Sequence, residues 1–364
     1  MNMKHILTLL TALLAPLAVS QAADRVLVGA IRWDAWVGDQ GPSNPCQHGV
    51  WNEQALASDK RWHNGIPFYG KVLPDGKVEA RLTDQQGMDQ EIAYAKGAID
   101  YWAFWDSPEW GKDAPMHTAL KLYLSSAHKG DIKFAIMLNN FPWSRHLAEY
   151  LQYLREPSYQ KVHGDRPLIY LFIGSDRAPG DGETKELRQS LTALRERSIA
   201  QGSGKPYYVI MHFQPADAAQ FCDLLGGDAI SSYARPRKGA GEPYLSLVKT
   251  TEQSWDKYKG TGKQVIPTCM TGWDQRPRTL DCGNPNWKKI RQTGPGWFQT
   301  ASPAEVAQHL SDAARWLRAH PDNINSMICY AWNEFTEGGW LCPALGDGDA
   351  RLKTIREYRV KQAW

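Results

Sequence analysis

Beyond residue 22 the 364-residue sequence has no apolar run of about 18 residues, which excludes a further membrane-spanning helix. There is no CxxC pair, so a dithiol redox site and a zinc knuckle are not expected. HExxH, a complete P-loop and a Gly-x-Ser-x-Gly elbow are all missing, which argues against a zincin, a P-loop nucleotide enzyme and a serine hydrolase. Gly346-Asp347-Gly348-Asp349 does not complete a calcium loop, and His212 stands without ligand partners in the sequence, so neither a metal nor a cofactor is expected. No long run of like charges appears, and the formal net charge is only +3. That pattern carries no nucleic-acid footprint and no patch for a membrane surface. No internal repeat, low-complexity tract or linker divides the chain.

Cysteine is sparse, six in all. Cys222, Cys269 and Cys329 lie in apolar segments and read as core thiols. Cys46, Cys282 and Cys342 lie in loops and are the candidates for a bridge in an oxidising compartment. Such a compartment is expected. Lys4 and His5 precede the apolar run Ile6 to Val19, and Ser20-Gln21-Ala22 supplies small residues for cleavage. Residues 1–22 are therefore predicted to be a signal peptide cleaved after Ala22, and the chain to be secreted or periplasmic and free of the membrane after cleavage. Residues 23–364 are read as one domain.

Tryptophan is abundant, 16 residues against 9 phenylalanines. Many sit beside Asp, Asn, Gly or Pro in loops. Flat rings with one polar edge suit sugars, whose C–H faces stack while their hydroxyls bond to nearby polar groups.

Eight short runs rich in β-branched and aromatic residues are predicted as strands: 26–33, 100–105, 132–138, 167–173, 207–213, 229–233, 265–270 and 326–332. Amphipathic segments separate them. Val306, Leu310, Ala313 and Leu317 share one helical face, and Ser302-Pro303 with Glu305 supplies a capping box ahead of it. Alternation of this kind predicts parallel βα units, and eight strands close a single (β/α)8 barrel of the α/β class. A doubly wound sheet is the alternative, but Gly29-Ala30-Ile31-Arg32 is not a phosphate-binding loop. Residues 36–85 form a long insertion after strand one, expected to wall the barrel mouth.

In such a barrel the active site lies at the C-terminal strand ends. Those ends carry Asp34 and Trp36, Trp105 and Asp106, Asn140, His212, Tyr233, Trp273 and Asp274, then Trp332 and Asn333. With Arg278 and Trp340 they make the predicted substrate-binding set. AWNEFTEGGW, residues 331–340, places Glu334 and Glu337 three apart. Two carboxyl groups are what glycosidic cleavage needs, one to protonate the leaving oxygen and one as nucleophile or base. On a helical turn that spacing sets them on one side, and their mutual repulsion raises one pKa, as a general acid requires. An acidic pair at a helix start would read the same way from spacing alone.

The segment AWNEFTEGGWLCP resembles the signature region of the family 99-like glycoside hydrolases, which include endo-α-mannosidases and WbsX-type proteins. Trp332, Asn333, Glu334, Glu337, Gly338, Leu341 and Pro343 match. Gly272-Trp273-Asp274-Gln275-Arg276-Pro277-Arg278 is similar to the family's Gly-Trp-Asp-Asn-x-Pro-Arg, and Ala95 to Asp100 resembles a segment ahead of its second strand. The resemblance implies a (β/α)8 barrel and a retaining outcome without a metal. It implies that Glu334 takes the proton of the sugar's 2-hydroxyl, giving a 1,2-anhydro sugar, and that Glu337 is the general acid and then base. The sequence departs at Cys342, where the family often has an acid, at Gln275 for Asn, and at Gly346 to Asp349 for an aromatic stretch. The expectation is an exported, endo-acting glycoside hydrolase of a poly- or oligosaccharide. The alternatives are a transglycosylase and a carbohydrate-binding barrel without catalysis.

Overall fold

The computed structural model describes residues 25–38, 48–106, 114–139, 146–174, 182–235 and 239–364. The predicted leader, Cys46 and Asn140 lie outside them. The parallel strands are β1 (Leu27–Arg32), β2 (Tyr101–Asp106), β3 (Lys133–Leu138), β4 (Arg166–Phe172), β5 (Tyr207–Met211), β6 (Ala229–Ser231), β7 in two halves (Gln264–Val265 and Thr268–Met270) and β8 (Ser326–Tyr330). Nearly every residue in them is buried, because helices cover one face and the barrel interior takes the other.

Neighbours in the sheet follow chain order from β1 to β6, and β8 returns to pair with β1. Closure runs through β7. Its first half pairs with β6 and its second with β8. Pro267 stands between the halves and has no N–H to give to a ladder. The carbonyls and amides around it still bridge both neighbours: Ile266 N bonds to the Ile230 carbonyl at 3.0 Å, and Ile328 N to the Pro267 carbonyl at 3.0 Å. The nine parallel segments are thus an eight-stranded barrel with one interrupted strand, as the spacing predicts.

Helices α1 (His48–Ala57) and α2 (Gln85–Ala95) follow β1. Then come α3 (Thr118–Ser125), α4 (Leu147–Tyr153), α5 (Gly182–Ala200), α6 (Pro215–Leu225) and α7 (Tyr244–Lys259), one after each strand in turn. Two helices, α8 (Lys288–Thr293) and α9 (Pro303–Ala319), follow β7, and α10 (Ala350–Gln362) follows β8. The capping box at Ser302 and Glu305 is formed as read. The insertion after strand one contains α1, a short 3-10 turn (Lys60–Gly65) and a small hairpin of Lys71–Val72 with Val78–Glu79. No helix among the described residues is long and apolar enough to cross a membrane.

The bottom of the barrel is plugged by side chains. Tyr101 Oη bonds to Tyr170 Oη at 2.6 Å and to Ser326 Oγ at 2.9 Å. Gly29 makes room for the Tyr101 ring, since a Cβ there would lie 2.3 Å from it. Tyr101 therefore faces inward, and strand alternation puts Ala103 and Trp105 on the same inner face. By the same parity Gly29, Ile31 and Trp33 of the first strand point in, while Arg32 points out under α2.

Candidate active site

β8 ends at Tyr330, and the chain leaves it through a tight hairpin. Asn333–Glu334 pairs antiparallel with Gly339–Trp340, and a 3-10 turn at Phe335–Glu337 joins them. Gly338 closes the turn with φ +76°. The turn after β7 packs against it backbone to backbone. Asp274 N bonds to the Glu337 carbonyl at 2.6 Å, and a Cβ on Gly272 would lie 1.9 Å from the Gly338 carbonyl oxygen. Glycine at both positions is what lets the two turns touch.

This packing brings Arg278, from the 3-10 turn Arg276–Thr279, across to the hairpin. One guanidinium holds both acids: Nη2 donates to Glu334 Oε2 at 2.9 Å and Nη1 to Glu337 Oε1. Its Nε donates to Thr336 Oγ1 at 3.0 Å, so the fork is fixed at all three nitrogens. Glu337 also accepts from Tyr330 Oη and, at 3.4 Å, from Gln275 Nε2. Glu334 is deeper, and among the described residues its side-chain hydrogen bond is to Arg278. Burial, with Arg278 opposing and Glu337 adding, pushes the Glu334 carboxyl up to about 8. Near neutral pH the buried pair therefore favours keeping a proton, which belongs to the pair as a whole.

A cavity of about 660 Å³ opens over these groups. Trp33, Trp105, Tyr233 and Trp273 line it, with Trp33 to Trp105 and Trp105 to Tyr233 in edge contact at 5.4 Å, and Tyr330 connects Tyr233, at 5.4 Å, to Trp273, at 5.9 Å. Trp287 forms part of the wall beside Arg278. Asn52, Gln275, Asn284 and Asn286 add amide groups, and Lys289 adds a charge. His48 stands at the edge of Trp33, and burial together with Arg278 lowers its pKa to about 4, so the ring is neutral at physiological pH. Apolar faces set among convergent polar groups are the usual make-up of a site for a sugar or similar small ligand. Among the described residues no group of three or more His, Cys, Asp or Glu side chains is arranged to hold a metal ion.

Of the residues predicted from sequence, Glu334, Glu337, Arg278, Trp105, Tyr233 and Trp273 line this cavity. Several others do not, and for those beside a strand end, such as Asp106 next to Trp105, alternation is the reason. Trp36, fully buried, packs edge-on to Phe335 at 5.1 Å. Asp106, one residue past Trp105, turns outward to His117 at 3.0 Å. His212 is buried and accepts from Gln214 N at 3.1 Å. Asp34, Trp332 and Asn333 form a buried rack beneath the acids instead of a contact surface. Asn333 Oδ1 accepts from Trp33 N at 2.8 Å, and its Nδ2 donates to Asp34 Oδ1 at 3.2 Å. Arg32 bonds to the same Asp34 oxygen at 2.9 Å and pairs with Glu91 at 2.8 Å, while Trp332 Nε1 donates to Glu91 at 3.0 Å. Asp274 and Trp340 line a separate, smaller cavity. The loop cysteines are corrected as well. Cys342 is buried beside Glu91, and both it and Cys282 are free thiols. Asp347 pairs with Arg351 at 2.8 Å.

The sequence reading missed Trp33, His48, Asn52 and Trp287 as lining residues. Trp33 was findable, because Trp105 and Trp33 share an inward parity. The others sit on the insertion and on the loop after β7, where no period marks a face.

A family model described as glycosyltransferase WbsX matches residues 127–355. The structure is similar to that of the GH99 endo-alpha-mannosidase from Bacteriodes thetaiotaomicron, solved in complex with BIS-TRIS-propane, with a TM-score of 0.56 and 13% sequence identity. The likeness covers 93% of this chain and 98% of that one, and at such identity it shows the fold. No curated protein matches the sequence.

Proposed function

The chain belongs to the WbsX glycosyltransferase family, and on the geometry of its site and its likeness to a GH99 fold we propose that it is a retaining glycoside hydrolase whose working acids are Glu334 and Glu337. The observation that carries the reading is the carboxyl pair on one arginine fork under an aromatic cavity. Acid cleavage of a glycosidic bond needs one proton donor and one acceptor within the same site. A pair with one pKa near 8 holds one proton and one negative charge at neutral pH, which is that complement.

By resemblance, Glu334 accepts the proton of the 2-hydroxyl as that oxygen closes on C1. The C1–O bond to the leaving group breaks, and Glu337 protonates the departing oxygen. Water then opens the 1,2-anhydro ring, giving its proton to Glu337, and Glu334 returns a proton to the 2-oxygen. For these roles the proton that the pair retains must sit on Glu337 when the sugar binds. Arg278 touches both carboxyls, so a charge-assisted bond remains whichever of them is ionised. Transfer to another sugar in place of water uses the same acids. The reading includes export after removal of residues 1–22, which N-terminal sequencing of secreted or periplasmic material checks.

The test is a glycan screen with the wild type beside Glu337→Gln, with released sugars detected by mass. The expected result is cleavage by the wild type and a loss of at least about 100-fold in the variant, the usual scale of a general acid. Equal rates in both would remove Glu337 from the mechanism, and binding by both without cleavage would favour a sugar-binding barrel. Adding an acceptor sugar separates hydrolysis from transfer.

A further inference from the structure

A second cavity, of about 230 Å³, opens on the far side of the turn after β7 from the two acids. Trp273 lines both cavities, so they share a wall. The smaller one is built from Trp62 of the insertion, Asp274 and Arg276 of the turn, Gln299 and Thr300 ahead of α9, and Trp340 of the hairpin.

The composition of its walls selects a ligand class. Trp62 and Trp340 add apolar ring surface to the walls, part of it covered by the guanidinium groups of Arg61 and Arg276 over Trp62 and of Arg351 over Trp340. The polar groups are amides, a hydroxyl and an Arg–Asp pair, which together donate and accept, as sugar hydroxyls do. The charges are already matched. Arg276 holds Asp274 at 2.7 Å and 2.9 Å, and Arg61 holds Asp59 at 2.7 Å. An ionic ligand would have to break one of these pairs, whereas an uncharged polyol bonds to their remaining lone pairs and N–H groups. The Arg276 fork is also held in place, with its guanidinium 3.6 Å from the centre of the Trp297 ring and 5.0 Å from that of Trp62. A fixed polar fork beside an aromatic face loses little freedom on binding. The volume falls below the roughly 300 Å³ at which sites for larger ligands begin, which suits one ring and not a chain.

We propose that this cavity is a second carbohydrate site, taking one neutral pyranose ring remote from the bond that is cut. It anchors a distant unit of the same glycan across the Gly272–Arg278 turn. The proposal rests on the reading of the protein as one that acts on carbohydrate, and not on the roles of Glu334 and Glu337.

The test uses protein labelled with ¹⁵N-tryptophan and the methyl α-glycosides of glucose, mannose and galactose, titrated to about 100 mM, above the millimolar range of a weak single-ring site. The Trp62 and Trp340 indole resonances are assigned from their loss in Trp62→Phe and Trp340→Phe. The expected result is a saturable shift of both with at least one glycoside, and at least a tenfold weaker response of Trp340 in Trp62→Ala. Shifts confined to Trp33, Trp105 or Trp273 would overturn the proposal, and so would no shift with any glycoside. Glu337→Gln is expected to leave these shifts in place, so failure of the catalytic reading and failure of this one are read separately.

Discussion

Glu334 is a carboxyl group that folding places where its charge is disfavoured. Its pKa rises from the ordinary 4.5 to about 8 because burial outweighs the attraction of Arg278. The folded protein therefore binds a proton that the unfolded chain releases above pH 4.5. By linkage the stabilising contribution of the protonated group is complete below the unfolded pKa and is lost as pH rises through about 8. Glu334→Gln removes that dependence. Its melting temperature is expected to match the wild type near pH 4 and to exceed it by a few degrees at pH 8, read by thermal scans across that range. Activity of the wild type is expected to fall as pH rises through about 8, when the pair loses its proton. Arg278→Lys removes the fork, because a single ammonium cannot keep bidentate contact with two carboxyls. A loss in kcat of about 100-fold or more is expected, with the fold retained by circular dichroism.

At the scale of elements, the site depends on two turns meeting without side chains between them. Gly272 has φ +154° and lies against the Gly338 carbonyl, and Gly338 in turn lies against Asp274. Neither position has space for a methyl group. Gly272→Ala is expected to destabilise the protein by about 2 kcal/mol or more, as strain at a special backbone position does. It should also separate Arg278 from the acids, so activity should fall further than stability does. Denaturant titration beside a rate measurement checks both. A strand end preceding a helix would tolerate alanine far better, which makes the contact between turns the feature under test.

For the whole molecule, α10 is the element that ties the two ends of the barrel together. At the end that carries the candidate site Arg351 is buried and donates to the carbonyls of Trp340 at 2.7 Å and Thr271 at 3.1 Å. At the opposite end Arg359 reaches Asp100 at 2.9 Å and the Ala98 carbonyl at 3.1 Å. One helix thus braces the outlets of β7 and β8 and the inlet of β2. Arg351→Leu removes the donor to the carbonyls of Trp340, Thr271 and, at 3.5 Å, Ala301, and leaves Asp347 without its partner. A loss of about 3 kcal/mol in unfolding free energy is expected, on the scale of a broken buried pair. Arg351→Lys should recover only part of it.

Local composition was enough to determine the strand count, the order of βα units and the capping of α9, because apolar period and turn chemistry are written in neighbouring residues. All eight predicted strands are present, each within two residues of the expected bounds. Glu334, Glu337 and Trp105 were legible as cavity residues because they stand at strand ends, where barrels keep their open face. What the tertiary structure alone decided is which neighbour of each pair faces that opening. Trp33 lines the cavity and Asp34 lies beneath it, a difference of one residue that reverses the side of the sheet. The joining of Arg278 to two acids more than 50 residues away was equally out of reach of the sequence. It follows from two glycines that let separate turns pack into one wall.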